Sequence, residues 1–236
     1  MASSFLRAAI SNNAFWCDAV CKALGSPGEF TATLWFHRRG TPPFYPDAVT
    51  LTEADGEQTE TIATLINSEK RDWAIKDSYA ALDLAPLGFK LLFEAEWIGM
   101  RMPVSTASPI TWQRVESAAD LARWEAEWGK ANGPVTQKIF TEPLLHDPEI
   151  AFLLGFEHGQ PVGGGILNHH AGVVGHSNLF AEGRHGETIR RGLIAQAAEL
   201  YPREPLVGYE RGDELDEALR VGFELLGPLR IWLKEA

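Results

Sequence analysis

Three histidines lie close together in the second half of the chain: His169 and His170 side by side, and His176 shortly after them. Imidazoles carry protons near neutral pH and bind metals. A metal would need three convergent ligands. A pair expected in the turn near Gly172, plus one residue on the next strand, offers no recognised metal spacing, so no metal is expected. His176 reads either as a general base or as a hydrogen-bonded core or cleft histidine. By strand alternation, His176, Asn178 and Phe180 should share one face. Gly163-Gly164-Gly165 is not a phosphate loop, because no Lys-Ser/Thr follows it. No Gly-x-Ser-x-Gly elbow occurs. Cys17 and Cys21 are spaced for one helix face and have no histidine nearby, so they read as buried reduced thiols.

The chain that must position these groups has 236 residues, 45% hydrophobic and 22% charged. That suits a soluble globular protein of one large or two small domains. The net charge of −11 argues against a nucleic-acid or anionic-membrane partner, because phosphates demand a basic surface. It is compatible with a cationic amine substrate. The first ten residues hold one Arg and no apolar run, and no window approaches the roughly 20 apolar residues of a membrane span. A cytoplasmic protein is expected, as a monomer or homodimer.

Periodicity predicts a helix over Ser4–Leu24, stopped by Gly25-Ser26-Pro27-Gly28. Strands are expected at Phe30–Phe36, Ala48–Leu51 and Trp73–Lys76. An acidic turn at Glu53–Glu57 should precede a helix at about Glu60–Ser68. A short helix carrying Tyr79, Leu82 and Leu84 should end near Gly88, and Lys90–Met100 should be extended. Met102–Pro109, rich in Pro, Ser and Thr, reads as a linker. Beyond it come strand Thr111–Val115, helix Ala118–Trp128, strands Ile150–Phe156, Val162–Asn168 and Val173–Phe180, and helix Gly186–Leu200. The chain should close with strand Leu206–Tyr209, a helix capped by Asp213 and ending at Val221, and strand Leu225–Leu233.

Leu82-Asp83, Gly88-Phe89 and Trp97 recur as Leu215-Asp216, Gly222-Phe223 and Trp232, at offsets of 133–135 residues. The echo suggests a duplicated helix–Gly–Phe–strand unit, with Trp97 and Trp232 in equivalent places on the last strands of two similar sheets. Chance recurrence of a common unit is the alternative.

The second half also carries Pro161-Val162-Gly163-Gly164-Gly165-Ile166-Leu167, then Ser177-Asn178-Leu179-Phe180-Ala181-Glu182 running into a Gly-containing loop and a helix, then Ala218-Leu219-Arg220-Val221-Gly222-Phe223. With its order of elements, the stretch from about Ser108 to Lys234 resembles the GNAT superfamily of acyl-CoA N-acyltransferases. The resemblance implies an α+β fold on a mixed sheet, with a GNAT-like acyltransferase domain at 108–236 and a diverged GNAT-like domain at 1–107. It implies transfer of an acyl group, expected to be acetyl, from acetyl-CoA or another acyl-CoA to a small-molecule or peptide amine. The pantetheine arm would lie where Val173–Phe180 splays from Leu206–Tyr209, held by backbone groups of Leu179, Phe180 and Ala181. The pyrophosphate would meet the loop and helix start Arg184, His185, Gly186, Glu187, Thr188, Ile189, Arg190 and Arg191. Only Gly186 keeps the family's glycine pattern there. The arginine cluster Arg184, Arg190 and Arg191 could supply charge instead, or it could be a solvated basic helix start. Where many members place an acidic Tyr, this chain has Ala218. Tyr209 is therefore the candidate proton donor, Glu210 the candidate base, and Asn178 is expected to line the reaction centre. Trp16 and Trp35 could line a cleft between the halves. A GNAT-like protein that has lost catalysis and binds a ligand or protein is the alternative function.

Overall fold

The computed structural model describes residues 3–53, 56–68, 72–105, 108–133 and 137–235. In chain order the elements are helix α1 (Ser4–Ala23), strands β1 (Glu29–Phe30), β2 (Leu34–Phe36) and β3 (Ala48–Thr50), helix α2 (Gly56–Ser68), and strands β4 (Trp73–Asp77), β5 (Lys90–Met100) and β6 (Thr111–Arg114). Then follow α3 (Ala118–Asn132), β7 (Ile150–Glu157), β8 (Gln160–His170), β9 (Val173–Ala181), α4 (Gly186–Leu200), β10 (Leu206–Glu210), α5 (Gly212–Arg220) and β11 (Glu224–Lys234). The expected acidic turn at Glu53–Glu57 and linker at Met102–Pro109 fall partly outside the described residues. Among the described residues no helix is long and apolar enough to cross a membrane.

All the strands join one mixed sheet in the order β1-β2-β3-β4-β11-β5-β10-β9-β8-β7-β6. Two similar sheets were expected; among the described residues the strands of both halves join in a single sheet. The last strand of each half is embedded beside the other half: β5 pairs with β10, and β11 with β4. β5 and β11 pair with each other at the centre, and they carry Trp97 and Trp232. From each edge inward the sheet reaches one parallel pair, β3 with β4 and β9 with β10.

Apolar alternation fixes which face each residue covers. Along β7, Ile150 and Phe152 face a core shared with α1 and α3, while Ala151 and Leu153 face the core under α4 and α5. Trp124 of α3 packs edge-on to Phe140, Phe152 and Phe180, and its Nε1 donates to the Leu153 carbonyl at 3.0 Å. α1 is tied to the β8–β9 hairpin by Asn12, whose Nδ2 donates to the carbonyls of Asn168 and Val173 at 3.0 and 3.2 Å. A side chain at Gly175 would collide with Asn12, so the helix sits directly on the strand.

Three local expectations are corrected. Tyr79–Leu84 is not helical: the Asp77 carboxylate takes the N–H groups of Tyr79 and Leu82 at 3.4 and 2.9 Å and holds a turn instead, with one 3₁₀ turn later at Ala85–Leu87. Asp213 is not the cap of α5. The cap position is Arg211, and Asp213 and Glu214 lie in the first turn, where carboxylates face the positive end of the helix dipole. His169 and His170 end β8, and the turn itself is Ala171-Gly172, both at positive φ.

Candidate active site

β9 and β10 pair at only two positions, Val174 with Leu206 and Gly175 with Val207. Beyond these the ladder stops. The backbones of His176–Ala181 and Gly208–Glu210 therefore face one another without strand pairing, which leaves donors and acceptors for another extended chain. A cavity of about 290 Å³ opens at this wedge. On the α4 side it is lined by His176, Leu179, Arg190, Glu210 and Glu214. On the α1 side it is walled by Trp16, Phe44, Tyr45 and Trp128, with the polar heads of Asn13 and Lys76. Asn178 and Tyr209 also line it.

Asn178 owes its position to a bulge. Between the pairs Ile166–Ser177 and Gly164–Phe180, β8 spends one residue and β9 two. Asn178 takes the extra place at φ 51°, a left-handed conformation that Asn tolerates better than most residues. The bulge overturns the expectation that His176, Asn178 and Phe180 share a face. His176 packs edge-on to Phe223 on the α5 side, whereas Phe180 packs against Trp124 on the α3 side. The amide of Asn178 donates to the Ser177 hydroxyl at 3.2 Å and to the Tyr45 hydroxyl at 3.5 Å. The buried Tyr45 phenol is pushed well above its ordinary pKa by desolvation, so it stays a neutral hydroxyl in the cavity wall.

His176 sits at the crotch of the wedge, its ring against Gly208, where any Cβ would collide with Nε2. Desolvation, helped by the nearby Arg190 cation, lowers its pKa to about 3, so it is a neutral imidazole. Its Nε2 has no hydrogen-bond partner. Tyr209 stacks edge-on to Trp97 at 5.5 Å, beneath the Lys76 ammonium at 4.1 Å from its ring centroid. Glu210 accepts from Arg190 Nη1 at 2.8 Å. Burial pushes the Glu210 carboxyl up from the usual range, and Arg190 acts in the opposite sense.

The expected arginine cluster is divided. Arg190, 3% exposed, turns inward to Glu210, whereas Arg191 stands outside and pairs with Glu187 at 2.8 Å. Arg184 lies in the 3₁₀ turn Gly183–His185, and its side chain lies outside the described set. His185 takes the cap position of α4 without a side-chain cap bond and contacts Glu157 at 3.3 Å. Ile189 is buried against Ile110 and Val162, so it serves packing. At the start of α4, a Cβ on Gly186 would lie 3.2 Å from the Glu217 carboxylate. Glu187, paired with Arg191, and Glu217, against Gly186, make the start of α4 acidic as well as basic.

Trp16 lines the cavity, as a cleft residue should, but Trp35 is fully buried with its Nε1 bonded to Asp18 at 3.0 Å. Cys17 and Cys21 are free and buried, and desolvation raises their thiols to about 11 and about 12, too high for a nucleophile at neutral pH. His169 contacts Glu149 at 2.6 Å and His170 stacks on Phe15, so the histidines do not converge. Tyr45, Lys76 and Asn13 were not foreseen; they come from the first half of the chain, and nothing local marks them.

No protein-family model matches the chain, and no curated protein matches it. Solved structures do. A GCN5-related N-acetyltransferase from Kribbella flavida superposes with a TM-score of 0.65 at 17% identity, over 94% of this chain and 95% of that one. A GCN5-related N-acetyltransferase from Sphaerobacter thermophilus gives 0.56 at 13% over 97% and 92%. A functionally unknown conserved protein from Staphylococcus epidermidis gives 0.63 at 13% over 89% and 94%. The chain thus has the GNAT fold over nearly its whole length, on a mixed α/β sheet.

Proposed function

We propose that this protein is an acyl-CoA-dependent N-acyltransferase that transfers a short acyl group, most simply acetyl, to a primary amine. The observation that carries the reading is the cavity at the β9–β10 wedge, which reaches from the α4 face to the α1 face of the sheet. A thioester arm laid in the wedge from the α4 side would bring its carbonyl to a chamber large enough for a small amine. In this reading the backbone of Leu179, Phe180 and Ala181 receives the pantetheine amides. The start of α4, through its free N–H groups, and Arg191 meet the phosphates, whereas Ile189 and Arg190 turn inward.

The amine must lose a proton as it attacks, and the thiolate must gain one as it leaves. Glu210, its carboxyl raised by burial, is the assigned base, and the Tyr209 hydroxyl the assigned acid. Asn178 orients the reacting carbonyl or the amine. Ala218, at the family's usual acid position, is fully buried and takes no part.

The halves 1–107 and 108–236 read as diverged copies that exchange their last strands. In the parallel pair of the first half, past Val49 and Lys76, the strands are bridged by the Ser78 N–H donating to Thr50 Oγ1 at 2.7 Å.

The second reading, a ligand-binding protein without catalysis, is favoured by the Arg190–Glu210 pair and by Glu217 beside Gly186, where phosphate should approach. Turnover of acetyl-CoA with an amine panel, read as released thiol, separates the two. Thiol release that depends on the amine and falls with Glu210→Gln supports the enzyme. Binding of amines without release supports the alternative.

A further inference from the structure

Lys76 is a buried charge at the cavity. It is 2% exposed, on β4, and its ammonium enters the α1 side of the cavity. Asn13 Oδ1 accepts one of its protons at 2.7 Å, and the rings of Tyr209 and Trp97 lie 4.1 and 5.9 Å away. Among the described residues no carboxylate pairs with it. The acids of its own half are occupied elsewhere: Asp18 accepts from Gly28 N–H and Trp35, Asp47 from Ala74 and Thr41, and Asp77 from Leu82. Glu210, across the cavity, holds Arg190. Cys17 nearby is a neutral thiol.

A buried ammonium is costly unless an anion or several acceptors compensate it. One amide oxygen and two ring faces compensate it in part. An ammonium has three donors and Asn13 accepts one; the cavity is the space in which an anionic group would meet the others. Around this charge the wall is aromatic, from Trp16, Phe44, Tyr45 and Trp128.

Resting on the acyltransferase reading, we infer that the acceptor is an amine that also carries a carboxylate, with Lys76 and Asn13 binding the carboxylate and the aromatic wall its apolar body. The amine is thereby directed back toward Glu210 and the wedge. The chain's overall acidity would have suggested a cationic acceptor, but the α1 side of the chamber presents a cation, with Glu210 and Glu214 on the α4 side.

Matched probes test this: L-phenylalanine against 2-phenylethylamine, and 4-aminobutyrate against butylamine, each with acetyl-CoA. The carboxylated member should be the better substrate in kcat/KM by about ten- to a hundredfold, the worth of one charged hydrogen-bonded contact. Lys76→Met should abolish that preference, Lys76→Arg should keep part of it, and Asn13→Asp, which neutralises the ammonium in place, should abolish it without removing the lysine. Circular dichroism confirms that each variant is folded. Equal or better use of the amines that lack a carboxylate, unchanged by Lys76→Met, would overturn the inference while leaving the transferase reading intact. If no amine is acylated, that reading fails, and calorimetry with 3-phenylpropionate alone decides the anion site. Binding lost in Lys76→Met upholds it, and no binding to the parent protein overturns it.

Discussion

Arg190 of α4 and Glu210 of β10 meet at 2.8 Å across the mouth of the strand wedge, with Arg190 almost wholly buried. The pair locks the helix to the strand end. Removing one partner leaves the other charge buried and uncompensated. Arg190→Met should therefore destabilise the fold by about 3–5 kcal/mol. Arg190→Met with Glu210→Gln should lose clearly less, since no bare carboxylate remains. Urea unfolding of both variants and of Glu210→Gln alone measures this, and a double-variant loss equal to the sum of the two single losses would mean that the pair is not coupled.

Tyr209 lies on the same strand but on the opposite face, against Trp97 and beneath Lys76. Tyr209→Phe removes the hydroxyl and keeps the ring packing, so stability should change by less than about 1 kcal/mol. If the hydroxyl protonates the departing thiolate, turnover at saturating acetyl-CoA should fall by about tenfold or more. Steady-state kinetics with a parallel measurement of CoA affinity checks it. Unaltered turnover would assign the proton to water or to another donor.

The second half was the more legible in sequence. Its strands are long alternating or fully apolar runs such as Ile150–Phe156, and Gly222-Phe223 punctuates the α5-to-β11 passage as expected. Asn178, Tyr209 and Glu210 could be placed at a wedge because the order of elements resembled a known fold. What escaped depends on pairing and on distant contacts. The bulge at Asn178 exists only relative to β8, so alternation alone put His176 and Phe180 on one face. Asp77 suppresses a helix whose spacing looked sound, through hydrogen bonds that residue type does not announce. Lys76 and Tyr45 reach the cavity only because the sheet runs unbroken through both halves. The arginine cluster was read as one feature because the residues are close in sequence, yet the helix turns Arg190 inward and Arg191 outward.

His176 gives the fold a pH signature. Its pKa falls from the ordinary 6.5 to about 3 on burial, so the unfolded chain binds a proton that the folded chain refuses. Stability from this group is complete above about pH 6.5 and is lost as the pH drops toward 3, with a slope of up to about 1.4 kcal/mol per pH unit. His176→Leu should flatten that part of the stability–pH curve between pH 4 and pH 6, as read by denaturant unfolding at each pH. An identical curve in the variant would show that the ring is not held neutral.

In the proposed function, the β9–β10 wedge accepts the pantetheine arm of an acyl-CoA. Calorimetry with acetyl-CoA and with desulfo-CoA addresses it most directly, because desulfo-CoA keeps the arm and the phosphates but has no thioester to transfer. Both should bind at one site per chain, with Kd in the micromolar range or tighter, about −8 kcal/mol. Gly208→Leu, which forces a side chain into the His176 crotch, should abolish both while the protein remains folded by circular dichroism. Absence of heat with either ligand, or binding that Gly208→Leu leaves untouched, would contradict it.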